Sequence, residues 1–162
     1  NNVWVPARAR SDSTYARHFG NLNILTYIIQ HGDSNTGNVL ISDSETNPRV
    51  YAVDNGVAFT STTSNRGAIW RELMAERLPR STLDRLRTLR RADLDRALEV
   101  LVEFQVRDGA LVPVEPGPNL GRSRGVRRSG DRIQFGLTSQ EIRDIEIRIR
   151  TLLREANARE IF

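Results

Sequence analysis

Asp33, Asn38 and Asp54 are the residues whose types and spacing could do chemistry in this chain. They lie in His31-Gly32-Asp33-Ser34-Asn35-Thr36-Gly37-Asn38 and Asp54-Asn55-Gly56, on either side of a segment with hairpin character. A phosphoryl group in transfer carries negative charge spread over its oxygens. Its catalysis therefore needs positioning and countercharge more than covalent help. One carboxylate must orient the attacking hydroxyl. An amide oxygen and a second carboxylate can hold a hard cation against the nucleotide phosphates. Asp33, on a loop, suits the first role. Asn38 opens one strand and Asp54 closes its partner, so a hairpin can bring both to one end as ligands of Mg²⁺ or Mn²⁺. ATP is the phosphate donor this chemistry implies. Gly37 and Gly56 permit close backbone approach beside both groups. His31 is better placed to brace the loop than to react. No residue stands out as a binder of the nucleotide itself.

The elements around these residues follow from pattern. Residues 1–12 are polar and Arg-rich and read as an extended lead-in. Over 13–30, Tyr15, Phe19, Leu22, Leu25 and Ile29 recur at helical spacing, with Gly20 as a weak point. Asn38–Ser42 and Arg49–Val53, separated by turn-forming residues around Pro48, predict a β-hairpin. Residues 67–79 predict a helix with Trp70, Leu73, Met74 and Leu78 inward. Ser81 is placed to cap a helix through Leu89. Asp93 is placed to cap another whose stripe is Leu94, Ala97, Leu98, Leu101 and Phe104, ended by Asp108-Gly109. Residues 113–131, with Pro, Gly and Arg, read as a long flexible loop. Thr138 and Glu141 form a capping box that opens a last helix, with Ile142, Ile145, Ile149, Leu152 and Leu153 inward.

The run from His31-Gly32-Asp33 to Gly37-Asn38-Val39-Leu40 resembles the catalytic loop of aminoglycoside and choline phosphotransferases, H-G-D-x-x-x-G-N-[VI]-L. Asp54-Asn55-Gly56 looks like the metal-binding triplet of secretory-pathway protein and sugar kinases, or of phosphoinositide-type kinases. The resemblance covers 31–56. It implies membership of the protein-kinase-like phosphotransferase superfamily, with Asp33 as catalytic carboxylate and Asn38 and Asp54 as metal ligands. It also implies a fold: an α+β, mostly helical kinase-like C-terminal lobe over 13–162 with a short catalytic hairpin. A complete fold of that kind has a small lobe with a phosphate-pairing lysine ahead of this loop. Residues 1–30 are too few for one, and the chain has no lysine. The expectation is that an upstream segment or a partner chain supplies it. The motif does not select among a small molecule, a sugar, a lipid head group and a protein as the hydroxyl-bearing acceptor.

Composition bounds the alternatives. At 162 residues and 27% charged, the chain suits a single modest globular domain. Without cysteine it has neither a disulfide scaffold nor a thiolate zinc site. No apolar run approaches the roughly 20 residues of a membrane span. A soluble protein is expected, with the cytoplasm favoured over export. All 24 basic residues are Arg, giving +4, a charge suited to phosphate-bearing partners. Two rival functions stand beside the phosphotransferase. One is a non-catalytic binding or scaffold domain. The other is a nucleic-acid or acidic-partner binder using Arg122, Arg124, Arg127, Arg128 and Arg132. Nucleic acid is disfavoured, because that stretch has no aromatics for base stacking. A His/Asp metal hydrolase built on His31 and a Ser34–His31–Asp triad both lack the spacing their chemistry needs.

Overall fold

The computed structural model describes residues 6–31, 36–44, 46–54, 58, 75, 77–121 and 125–159. The chain divides into two compact units, 1–87 with 151–162 and 88–150.

In the first unit, helix α1 (Pro6–Ser11) replaces the expected extended lead-in over 6–11. Pro6 at its first position loses no hydrogen bond there. Helix α2 (Ser13–Ile28) is capped by Asp12, whose carboxylate accepts from the Tyr15 N–H at 3.0 Å. Its face Tyr15, Phe19 and Leu22 is buried as the spacing predicts, while Leu25 is exposed. Gly20, weak by propensity, has a packing reason. A Cβ there would sit 2.7 Å from Cδ of Pro79. Strands β1 (Val39–Ile41) and β2 (Val50–Ala52) form the expected antiparallel hairpin. Val39, Val50 and Ala52 pack on Phe19 and Leu22. Helix α3 (Arg80–Thr88) begins one residue before Ser81, which therefore lies inside it rather than at its cap. Leu83 of α3 joins Ile24, Leu78 and Ala156 in a second cluster. The helix predicted over 67–79 falls largely outside the described residues, as do Trp4 and Trp70.

The second unit corrects the fold class. Helix α4 (Arg91–Leu98) begins two residues before Asp93, which accepts the Arg90 N–H at 3.1 Å from inside the first turn rather than from the expected cap position. It stops at Leu98. Leu101 and Phe104 are not on it. Strands β3 (Val102–Arg107), β4 (Ala110–Val114), β5 (Gly125–Ser129) and β6 (Arg132–Gly136) form one antiparallel sheet in the order β4-β3-β6-β5. A helix running to Phe104 followed by a loop over 113–131 is thus replaced by four strands. The mostly helical kinase-like C-terminal lobe is not what this chain builds. The physical cause is local. Val102, Phe104 and Val106 alternate with polar residues at period two. Asp108 and Gly109, with φ of 51° and 78°, make the left-handed two-residue turn that closes a hairpin.

The two faces of this sheet invert the usual pattern. Register places Val102, Val126 and Phe135 on one face, and Glu103, Arg127 and Gln134 on the other. The polar trio is buried, at 1%, 2% and 0% exposure, whereas Val126 is 51% exposed. The segment 115–121 lies against the polar side. Glu103 accepts from Gln134 Nε2 at 2.7 Å, from the Gly117 N–H at 2.8 Å, and from Arg132. Gln134 Oε1 accepts the Leu120 N–H at 2.9 Å. Glu103 and Gln134 therefore hold one strand to another and to this segment, which repays their desolvation. Helix α5 (Ser139–Arg159) opens with the predicted capping box, Thr138 N–H to Glu141 at 2.8 Å and Glu141 N–H to Thr138 at 3.2 Å.

The Glu103 cluster gives a prediction. Its hydrogen bonds with Arg132, Gln134 and Gly117 hold the carboxyl at about 2, against an ordinary 4.5. A folded-state value below the unfolded one means stability present above the unfolded value and lost as pH falls through the folded one. The second unit of the wild type should weaken between about pH 4.5 and 2. Glu103→Gln should be less stable at neutral pH, and its deficit should shrink across that window. Denaturant midpoints measured against pH decide it. A deficit that stays constant down to pH 2 would show that the carboxylate charge does not hold this sheet together.

Candidate functional site

The candidate site is built on the exit of α2 and the open end of the hairpin. Helix α2 ends in a Schellman motif. Gln30 takes the left-handed position with φ 52°, its N–H reaches Tyr27 O at 3.2 Å, and the His31 N–H reaches Thr26 O at 2.9 Å. This turns the chain and places His31 in the interior, 6% exposed, where the segment 32–35 begins. Asp33 belongs to that segment, which lies outside the described residues.

A short 3₁₀ turn, Thr36–Asn38, ends on Asn38, which therefore precedes rather than opens β1. The register Val39↔Ala52, Leu40↔Tyr51 and Ile41↔Val50 is extended by a hydrogen bond from the Val53 N–H to Asn38 O at 2.9 Å. Asn38 and Asp54 therefore stand at the same end of the hairpin, as the sequence predicts. Asp54 has φ 54°, a left-handed conformation that Asp tolerates better than most residues, and it is exposed. Asn38 is half-buried. An amide oxygen and a carboxylate oxygen at one strand end form a donor set suited to Mg²⁺ or Mn²⁺, and poorly suited to softer metals. Among the described residues no group of three or more His, Cys, Asp and Glu side chains forms a metal cluster.

Sequence reasoning singled out no residues for the bulk of a ligand. The hairpin offers a set. Register sets Leu40 opposite Tyr51 on the face away from α2, and Val53 follows β2 on the same side. All three apolar side chains are exposed, Leu40 at 50% and Tyr51 at 48%. The opposite face is consumed by packing on α2. The signal was present in the alternation Asn38-Val39-Leu40 and Tyr51-Ala52-Val53, once the inner face was known.

The Arg-rich stretch is placed differently from its reading as a loop. Arg127 is buried, its guanidinium donating to Glu99 O and to Leu137 O, the latter at 2.7 Å. Arg132 pairs with Glu103. Two of its five cations are thus structural. Among the described residues no helix is long and apolar enough to cross a membrane. No family model matches this chain, and no curated protein or solved structure matches it either.

Proposed function

We propose that this chain carries out metal-dependent transfer of the ATP γ-phosphate to a hydroxyl, a kinase-type reaction. The observation that carries the reading is the hairpin register, which brings Asn38 and Asp54 to one open end. Asp33 is the carboxylate that accepts the hydrogen bond of the attacking hydroxyl and orients its oxygen. Asn38 and Asp54 present the oxygens for Mg²⁺ or Mn²⁺. When bound, that ion neutralises the phosphate oxygens on which charge accumulates. The outward face of Leu40, Tyr51 and Val53 offers apolar area beside these oxygens for the flat base of the nucleotide. The acceptor is a hydroxyl compound.

The test is ADP formation by the purified chain with ATP and Mg²⁺ or Mn²⁺, across sugar, lipid and protein acceptors. Asp33→Ala should lower turnover about a hundredfold or more while Mn²⁺ binding persists. Equal turnover in wild type and Asp33→Ala would overturn the assignment of Asp33. A second reading, a binding domain without catalysis, is favoured by one observation. Leu111, Val126 and Phe135 of the second unit's sheet are exposed. That reading predicts no ADP from either protein.

A further inference from the structure

The two edges of the second unit's sheet are built differently. Its strands run in the order β4-β3-β6-β5, so β4 and β5 each leave one side unpaired. Asp131 O accepts the Val106 N–H at 2.7 Å, and Phe135 O accepts the Leu101 N–H at 2.8 Å. The odd-numbered residues of β6 therefore turn their backbone toward β3. Arg132, Gln134 and Gly136 turn theirs toward β5, where their partners are Ser129, Arg127 and Gly125. The N–H and C=O groups of Val126 and Arg128 consequently point out of the sheet. By the same alternation Leu111 and Pro113 point out of β4, and Pro113 has no N–H to give. The β4 edge is blunted, and the β5 edge is open.

The side chains along the open edge give it a chemistry. Val126 and Arg128 stand on one face, beside Phe135 and Ile133 of β6. Val126 is 51% exposed and Phe135 36%, with Phe135 set edge-on to Phe104 at 6.0 Å. Arg128 is exposed, makes a long bond from Nε to Gly130 O at 3.4 Å, and has no ion pair among the described residues. Asp131, in the same turn, accepts from Gln105 on the opposite face, and Glu103 is taken by Arg132. Asp108 lies in the β3–β4 turn, two strands away, about 10 Å at sheet spacing. Arg127 fixes β5 from behind through Glu99 O and Leu137 O. An apolar side chain and an unbalanced cation thus sit two residues apart along an anchored, open edge.

We infer that the β5 edge binds an extended acidic segment of a partner protein as a fifth strand. Val126 and Arg128 supply N–H donors and C=O acceptors to its backbone. On the exposed face the segment sets an apolar side chain against Val126 and Phe135 and, two residues away, a carboxylate against Arg128. A second copy of this chain is a poor occupant. Two-fold pairing of β5 through Val126 and Arg128 sets Arg127 opposite its counterpart, and each copy carries +4. The inference stands on the second unit alone and is independent of the transfer chemistry at Asn38 and Asp54.

The probe is a fluorescein-labelled, end-capped peptide, Thr-Glu-Thr-Val-Thr, followed by anisotropy against the whole chain. It should saturate below about 1 mM, and the same peptide with lysine for glutamate should bind about tenfold or more weakly. N-methylation of its glutamate or valine, whose amides face β5, should abolish binding. N-methylation of the central threonine, whose amide faces away, should not. Arg128→Glu should reverse the preference between the two peptides without changing the circular dichroism. Hydrogen exchange of the Val126 and Arg128 amides should slow on binding, and that of Leu111 should not. The proposal fails if the glutamate peptide does not bind, if N-methylation is without effect, or if Arg128→Glu keeps the wild-type preference. It fails equally if the Val126 and Arg128 amides become protected in the chain alone as its concentration rises, which would give the edge to a second copy.

Discussion

Asp54→Asn should lower Mn²⁺ affinity by at least about tenfold and phosphoryl transfer by about a hundredfold to a thousandfold. The fold should be unchanged. Asn is the informative replacement because Asp54 is held at φ 54°, where Asn is at ease and Ala is strained. The substitution removes one negative charge and little else. Asp54 is exposed at the end of the hairpin, so no buried contact is lost with the carboxylate. The loss in metal affinity should be seen by electron paramagnetic resonance of Mn²⁺ without any substrate, which separates binding from turnover. Asn38→Ala should weaken the ion as well, since both oxygens lie at one strand end. Unchanged Mn²⁺ titration in Asp54→Asn would remove the metal from this end of the hairpin. The proposed chemistry would go with it.

The sequence made the site's scaffold legible and the second unit largely illegible, and the reason is physical. The hairpin was readable because Val39-Leu40-Ile41 and Val50-Tyr51-Ala52 are short apolar runs separated by strong turn residues. The last helix was readable because Thr138 and Glu141 are a reciprocal cap ahead of a clean isoleucine stripe. The region 99–136 failed for two reasons. Leu94, Leu98, Leu101 and Phe104 fall near helical spacing, although Val102-Glu103-Phe104-Gln105-Val106 also alternates, and the Asp108-Gly109 turn decides for the strand. Beyond it, the stretch with Arg127 and Arg132 read as a solvated loop, because polar residues usually are exposed. Here they are the covered face. Only tertiary partners, Glu103, Gly117 and Leu120 among them, reveal that inversion, and no local pattern encodes them.

That inversion makes one glycine the most sensitive position of the second unit. Gly136 ends β6, opposite Gly125. A methyl group on it would overlap the Glu99 carbonyl oxygen, lie 2.6 Å from the Glu99 carbonyl carbon, and lie 3.1 Å from Arg127 Nη1. The obstruction is backbone, and that backbone is pinned on both sides. The Glu99 N–H is bonded to Asp95 O at 2.9 Å, and the Leu101 N–H to Phe135 O at 2.8 Å. The same Glu99 carbonyl is an acceptor for the buried Arg127 guanidinium. Gly136→Ala should therefore displace an acceptor from a buried cation as well as force apart a strand and the end of α4. The expected loss is about 3 kcal/mol or more, a large share of a typical 5–15 kcal/mol total. Gly109→Ala is the control. It also introduces a Cβ, at φ 78°, but into open space. Its cost should be limited to left-handed strain, about 1–2 kcal/mol. Denaturant midpoints and hydrogen exchange of the β3 and β6 amides distinguish the two. If Gly136→Ala costs no more than Gly109→Ala, the Glu99–Arg127 contact is not what holds this sheet to its helix.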